Sequence, residues 1–214
     1  MFAQRLSSPR AFRLPAIMTL FAIMLPMLAG CGYNTIPTAE ENAKAAWSEV
    51  LNQYQRRADL IPNLVETVKG YATHEKDTLD AVVEARAKAT QITVTPETLK
   101  DPEAFKKFQD AQSGLTSALS RLIAVSESYP DLKANQNFLA LQAQLEGTEN
   151  RIAVARRDYI QAVRDYNLTL KTFPSVLWAT LWFRSNQPFA NFTVDEDKMQ
   201  VPKVDFGTST KQGG

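Results

Sequence analysis

Apolar and aromatic positions recur every seven residues along most of this chain. Trp47, Tyr54, Ile61 and Val68 form the first row, continued by Val82 and Ala89. Val50, Leu51, Ala58, Leu64, Val65, Ala72 and Leu79 fill the alternate positions. Rows of this kind are the buried faces of amphipathic helices. Thr38 precedes Glu40 and Glu41, acids at the positive end of a helix dipole, and marks the start. Pro62 lacks an N–H and disturbs a helix interior, while Asp59 is placed to cap a new start. We therefore expect two helices, 39–59 and 60–92. One kinked helix, or a break near Gly70–Thr73, are the alternatives. After a linker over 93–102, Asp101-Pro102-Glu103 reads as cap, first position and first-turn acid. Phe108, Leu115, Leu122 and Tyr129 then recur, with Phe105, Ala111, Leu119 and Val125 beside them, until Pro130. The last row is Phe138, Leu145, Ile152, Tyr159, Tyr166 and Phe173, with Leu141, Thr148, Ala155 and Ala162 alongside, stopped by Pro174. Such a helix of ~38 residues is ~57 Å long. Alternating strand patterns are missing. Long heptad helices with short connections predict an all-α fold, an antiparallel up-and-down four-helix bundle over 39–174.

The two ends differ. Residues 1–13 carry Arg5, Arg10 and Arg13 and no acid, and Leu14–Ala29 is almost wholly apolar. Small residues then lead to Leu28-Ala29-Gly30-Cys31. This is the order of a secretory signal with a lipobox, so 1–30 is read as a signal peptide and Cys31 as the lipidated residue. Its thiol would take a thioether-linked diacylglyceride and its freed amine a further acyl chain such as palmitate, enough for lasting attachment to a bilayer lipid surface. About 16 apolar residues interrupted by Pro15 and Pro26 are short for a span of ~20. Gly32, not Asp, follows the cysteine, which points to the outer membrane of a double-membraned cell facing the periplasm, with the cytoplasmic membrane as the alternative. Residues 31–38 read as a tether. At the other end, 175–193 is apolar and aromatic but too short to span a bilayer. It packs on the bundle end, or Trp178 and Trp182 meet a membrane interface. Residues 194–214 read as a tail.

Polar residues on or beside the apolar rows are the candidate site. Gln142, Glu149 and Arg156 lie sevens apart, with Glu146 and Asn150 nearby. Arg56, Arg57, Asp59, Asn63, His74 and Glu75 cluster around Pro62 and Gly70, and Glu75 falls on the row itself. Buried charge is costly unless paired, so Glu149 or Glu146 should meet Arg56, Arg57 or Arg156. Such a set is a register-fixing network, a ligand or partner site or, least in keeping with the motifs, a catalytic one.

Composition narrows the function. Of 214 residues, 44% are hydrophobic and 22% charged, a foldable balance. Taking the three arginines of residues 1–30 from 24 basic residues leaves 21 against 23 acids, a net charge of −2. That does not fit a nucleic-acid binder, which needs clustered Lys and Arg. The sequence has one Cys and one His. It contains no His-Glu-x-x-His run, no inward Glu-x-x-His pair and no Gly-rich phosphate loop, so neither metal nor cofactor is expected beyond the covalent lipid.

Longer stretches add a resemblance. They include Ala46-Trp47-Ser48, Gln55 through Ala72 with His74-Glu75, Glu84-Ala85-Arg86, and Tyr129 through Asn135. Phe138-Leu139, Leu141-Gln142, Leu145 through Ile152, Ala155-Arg156, Tyr159, Tyr166-Asn167 and Phe173-Pro174 complete the set. Over roughly residues 40–190 the chain resembles the LemA family of bacterial envelope proteins. The resemblance implies a four-helix antiparallel bundle held at a membrane by its N-terminus. It implies no catalytic residues. Many members carry an N-terminal transmembrane anchor, whereas here the anchor is Cys31. The reading that follows is a non-catalytic, membrane-anchored lipoprotein of the cell envelope that binds an envelope protein. A structural or membrane-interface role is the alternative, and a carboxylate-based hydrolase is the third.

Overall fold

A computed structural model describes residues 32–92, 95 and 98–192. The signal peptide, Cys31 and the 194–214 tail lie outside the described residues. Within them the chain is all-helical: α1 (Thr35–Lys69), α2 (Lys76–Gln91), a 3-10 turn (Thr98–Lys100), α3 (Pro102–Ser126), α4 (Pro130–Lys133), α5 (Gln136–Thr169) and α6 (Ser175–Leu181).

The first helix starts four residues before the expected 39 and takes in half of the expected tether. Pro37 does not prevent this, because N–H groups of the first turn have no partner inside a helix anyway. Ile36, fully buried, draws that turn onto the core.

The expected break at Asp59 and Pro62 is not there. Helix α1 runs through Pro62, and the chain breaks instead over Gly70–Glu75. A proline at 62 leaves the carbonyl of Ala58 without its helical donor. Arg86 of α2 supplies one, its Nε donating to Ala58 O at 2.8 Å. The neighbouring helix thus satisfies the group that the proline frees. Arg86→Ala is expected to cost about 1–3 kcal/mol, the usual penalty of an unsatisfied buried carbonyl. In a Pro62→Ala background the restored N–H takes that carbonyl, and the cost should largely vanish. A double-mutant cycle by denaturant unfolding reads this coupling. Equal costs in both backgrounds would refute the explanation.

Asp101 caps α3 as expected, accepting from Glu103 N at 2.9 Å and Ala104 N at 3.2 Å, with Pro102 in the first turn. The helix ends at Ser126, earlier than Pro130, which instead opens the short α4. The second row on α3 is Phe105, Gln112, Leu119 and Ser126, all buried, so its register is one residue from the expected Ala111 and Val125. Asn135 caps α5 by accepting from Phe138 N at 3.0 Å. That helix ends at Thr169, and Phe173, expected on its buried row, is 70% exposed.

Helices α1 and α5 pack along each other in a constant antiparallel register. Trp47 meets Tyr159, Arg57 meets Glu149, and Tyr71 meets Asn135, each pair of numbers summing to 206. Helix α3 runs parallel to α1, with Trp47 against Phe105 and Phe108, and Tyr54 against Phe108. Helix α2 packs on both α1 and α3. At the turn end, Tyr129 Oη donates to Glu75 at 3.0 Å and ties the α3–α4 turn to the α1–α2 turn.

The apolar interior is in two parts. One holds Trp47, Val50, Tyr54, Phe105, Phe108, Ile152 and Tyr159. The other holds Ile61, Leu64, Val68, Leu115, Leu122, Phe138 and Leu145. At roughly 1.5–3 kcal/mol for each large apolar side chain fully buried, both are substantial. Polar residues lie between them.

Candidate functional site

Heptad spacing brings Arg57 into the core. Ala43, Val50, Arg57 and Leu64 lie sevens apart on α1, and all are buried. Arg57 is 1% exposed. Its Nη1 donates to Glu149 Oε1 at 2.6 Å and to Thr116 Oγ1 at 3.0 Å. Its Nη2 donates to Gln112 Oε1 at 2.6 Å and, more weakly, to Gln112 O at 3.4 Å. Gln112 in turn donates through Nε2 to Ala89 O at 3.2 Å. The guanidinium also lies 5.0 Å from the centre of the Tyr54 ring. One arginine thus joins all four long helices in a single polar layer between the two apolar cores. Arg57 Nε is buried with no hydrogen-bond partner among the described residues.

Grooves open on both sides of this layer. One, of about 360 Å³, lies between α3 and α5, where Thr116 and Glu149 sit among Leu119, Ile123, Leu145 and Asn150. The other, of about 280 Å³, is lined in part by Asn52, Tyr54, Thr90 and Gln112. Burial raises the pKa of the Tyr54 phenol, and the charges of Arg156 and Arg57 oppose that rise.

Of the pairings expected across helices, Arg57–Glu149 is the one that forms. The other candidates spread out. Arg56, Asp59, Asn63 and His74 are exposed. Asp59 accepts from Gln55 at 2.7 Å within its own helix. Glu75 serves the turn end through Tyr129. Gln142 donates to Glu146 at 3.2 Å, and Glu146 and Asn150 line the α3–α5 groove. Arg156 lies over the Phe192 ring at 4.2 Å. Gln112 and Thr116 were missed by the sequence reading. The signal for Gln112 was present, because 105, 112 and 119 are sevens apart and only the middle residue is polar. Among the described residues there is no cluster of three or more His, Cys, Asp or Glu side chains able to hold a metal ion.

The aromatic end forms a second feature. Gly32 is buried, and a Cβ there would meet Trp178 Cδ1 at 3.0 Å. Tyr33 packs edge-on to Trp178 at 5.7 Å and lies 5.2 Å from Phe183. Trp178 is therefore turned inward, and Trp182, 5.3 Å from it, is 64% exposed. No helix of the described residues is long and apolar enough to cross a membrane. Beyond α6 the chain returns along the bundle. Phe189 is buried, and Phe192 packs against Trp47, Phe105 and Tyr159.

The LemA family model matches residues 46–206, a span that takes in the whole polar layer and α6. Over 188 residues the chain is 27% identical to magnetosome protein MamQ 1, and equally to MamQ 2, of Paramagnetospirillum magneticum. Those matches cover 80% of this chain and 68% of each relative. MamQ of Magnetospirillum gryphiswaldense is 26% identical over 175 residues, covering 74% of this chain and 64% of the relative. Protein LemA of Metamycoplasma hominis is 29% identical over 119 residues, covering 56% of this chain and 50% of the relative. A family match over three quarters of the length, across every element that builds the layer, places this chain in the LemA family.

Proposed function

We propose that this protein is a lipid-anchored envelope protein whose domain is a non-catalytic binding scaffold. Its four long helices, α1, α2, α3 and α5, make an antiparallel up-and-down bundle. The observation that carries the reading is the use made of Arg57. The one fully buried charge among the described residues is held by protein groups on α3 and α5, so the strongest candidate for chemistry acts as a fastener. A fastened bundle presents fixed helix faces, and the groove between α3 and α5, with Leu119, Ile123 and Leu145 in its lining, is a concave face among them. The lipobox Leu28-Ala29-Gly30-Cys31 supplies the membrane attachment, with the outer membrane as its place in a double-membraned cell. Relatives named for a cellular structure, the magnetosome, rather than for a reaction are in keeping with this role.

The test is photocrosslinking in cells from Ser120 and Asn150 at the groove, with Cys31→Ser as the unanchored control. One stoichiometric envelope protein, captured from the groove and lost without the anchor, is the expected result. Lipid labelling that survives Cys31→Ser would remove the anchor. Turnover that disappears in Glu149→Gln and His74→Ala would replace the scaffold with an enzyme. Point variants serve better than deletion of 175–214, which would take Phe189 out of the core.

A further inference from the structure

We propose that α6 and its flanks form a membrane-interface patch, seated on the same bilayer that holds the lipid of Cys31. This inference rests on the anchor reading at Cys31 and extends it from a flexible leash to an oriented dock.

Three observations carry it. The first is the packing of Gly32. Gly32 is packed on Trp178, and Cys31 is joined to Gly32 by one peptide bond. The lipid would therefore start within a few ångströms of α6, with no free spacer between bilayer and bundle. The second is exposure. Phe173, Leu177 and Leu181 follow at intervals of four, and with Trp182 they are 70%, 51%, 59% and 64% exposed. Exposed apolar side chains gathered in this way mark a contact surface rather than ordinary scatter. Indole rings in particular favour the boundary between headgroups and acyl chains. The third is charge. Between Asp165 and Asp195 the only charged residues are Lys171 and Arg184, one on each flank of the patch. Cations beside a short amphipathic apolar segment suit an anionic bilayer surface. A helix of seven residues cannot span, so the segment lies in the interface.

The arrangement has a consequence for the whole molecule. With Tyr33 and Trp178 clasped, anchor and patch sit at one end of α1 and α5. The opposite end, with Tyr71, Glu75, Tyr129 and Asn135, then points away from the bilayer.

The test uses the full protein made in cells with its lipid. It is reconstituted in phosphatidylcholine–phosphatidylglycerol vesicles, with or without acyl chains brominated just below the headgroups. Tryptophan emission should be quenched by the brominated lipid, and Trp47, 3% exposed in the core, should contribute the unquenched remainder. Leu177→Asp with Leu181→Asp should remove most of the quenching while helicity and melting stay unchanged. If the double variant fails to fold, Leu181→Asp alone gives the same comparison. Palmitate labelling of the same preparations keeps the two claims apart. Labelled protein without quenching overturns the patch and leaves the anchor standing, and it makes the exposed face a protein contact. Quenching that the Asp variants leave intact also overturns it. Quenching in unlabelled protein removes the anchor but supports the patch as a membrane contact.

Discussion

Replacing Arg57 by alanine is expected to lower the unfolding free energy by about 3–5 kcal/mol, the range for removing one partner of a buried charged network. The reason lies in what stays behind. Gln112 is 7% exposed and would lose the donor to its Oε1, and Thr116 and Glu149 would lose theirs. A cavity the size of an arginine side chain would remain between two otherwise packed cores, adding to the loss. The partner cannot be spared either. The Glu149 side chain is 42% exposed, but the charge it balances, on Arg57, is 1% exposed. Glu149→Gln keeps an acceptor oxygen for Nη1 yet leaves that buried charge unbalanced, so it should cost about 3 kcal/mol, the lower end of the same range. Arg57→Met combined with Gln112→Leu should recover most of the stability, because the two buried polar side chains give way to apolar ones of similar volume and the exposed Thr116 and half-exposed Glu149 can turn to water. What that double variant should lose is register. The constant α1–α5 offset is fixed at this layer by one hydrogen-bonded pairing, while apolar rows repeating every seven residues would tolerate a slip of one heptad. Thermal melts give the first result, and crosslinking between cysteines placed at 47 and 159 gives the second. If Arg57→Ala melts within a degree or two of the wild type, the fastener is not one.

The heptad rows placed the helices because the period is local and the packing is regular. The same rule fixed the α3 cap, where Asp101, Pro102 and Glu103 needed only neighbours in sequence. It failed wherever a distant residue supplied what the local chain lacked. Pro62 disturbs a helix by its own chemistry, and the donor for the carbonyl it frees, Arg86, comes from across an interface. Arg57 and Gln112 were each hidden by an apolar neighbour. Ala58 is itself buried beside Arg57, whereas Ala111 is half-buried and one position off the true row, and choosing them kept each row uniformly apolar while leaving the polar layer divided. A single polar residue at a core position of each of two helices is a pairing signal, and it becomes readable only when the rows are kept strictly at seven. For the candidate site, the Arg57–Glu149 pair was within reach of this reasoning. Asp59 and His74 were not separable from it, since Asp59 is exposed by the face of α1 it occupies and His74 by the break over Gly70–Glu75. The segment after α6 was legible only as part of an aromatic stretch packed on the bundle end, and its path along α5 was not, because its contacts follow no period.

That segment supplies the second large expected effect. Phe189→Ala should destabilise the protein by about 3–5 kcal/mol, the usual range for truncating a core phenylalanine. Phe189 is 3% exposed and lies 4.6 Å from the Tyr166 ring. Its backbone is tied as firmly as its ring. Asn167 Nδ2 donates to Phe189 O at 3.1 Å, and Phe189 N donates to Asn167 Oδ1 at 2.9 Å. Tyr166 Oη donates to Gln187 O at 3.2 Å and Tyr159 Oη to Ala190 O at 2.8 Å, while Ala190 N donates to Leu99 O. The strap thereby joins α5 to the turn before α3. Both phenols must be protonated to donate. Burial pushes Tyr166 up from 10.0 to about 12 and raises Tyr159 as well. A raised folded-state pKa means the contribution is complete below pH 10 and falls away as pH rises toward 12. Asn167→Leu should release the strap with less damage to the core than Phe189→Ala, because the ring can remain in place. Hydrogen exchange at Phe189 N and Ala190 N separates the two cases. Local opening at an unchanged melting temperature is expected for Asn167→Leu, and global loss for Phe189→Ala. Protection unchanged in both would mean that the bundle closes without its strap.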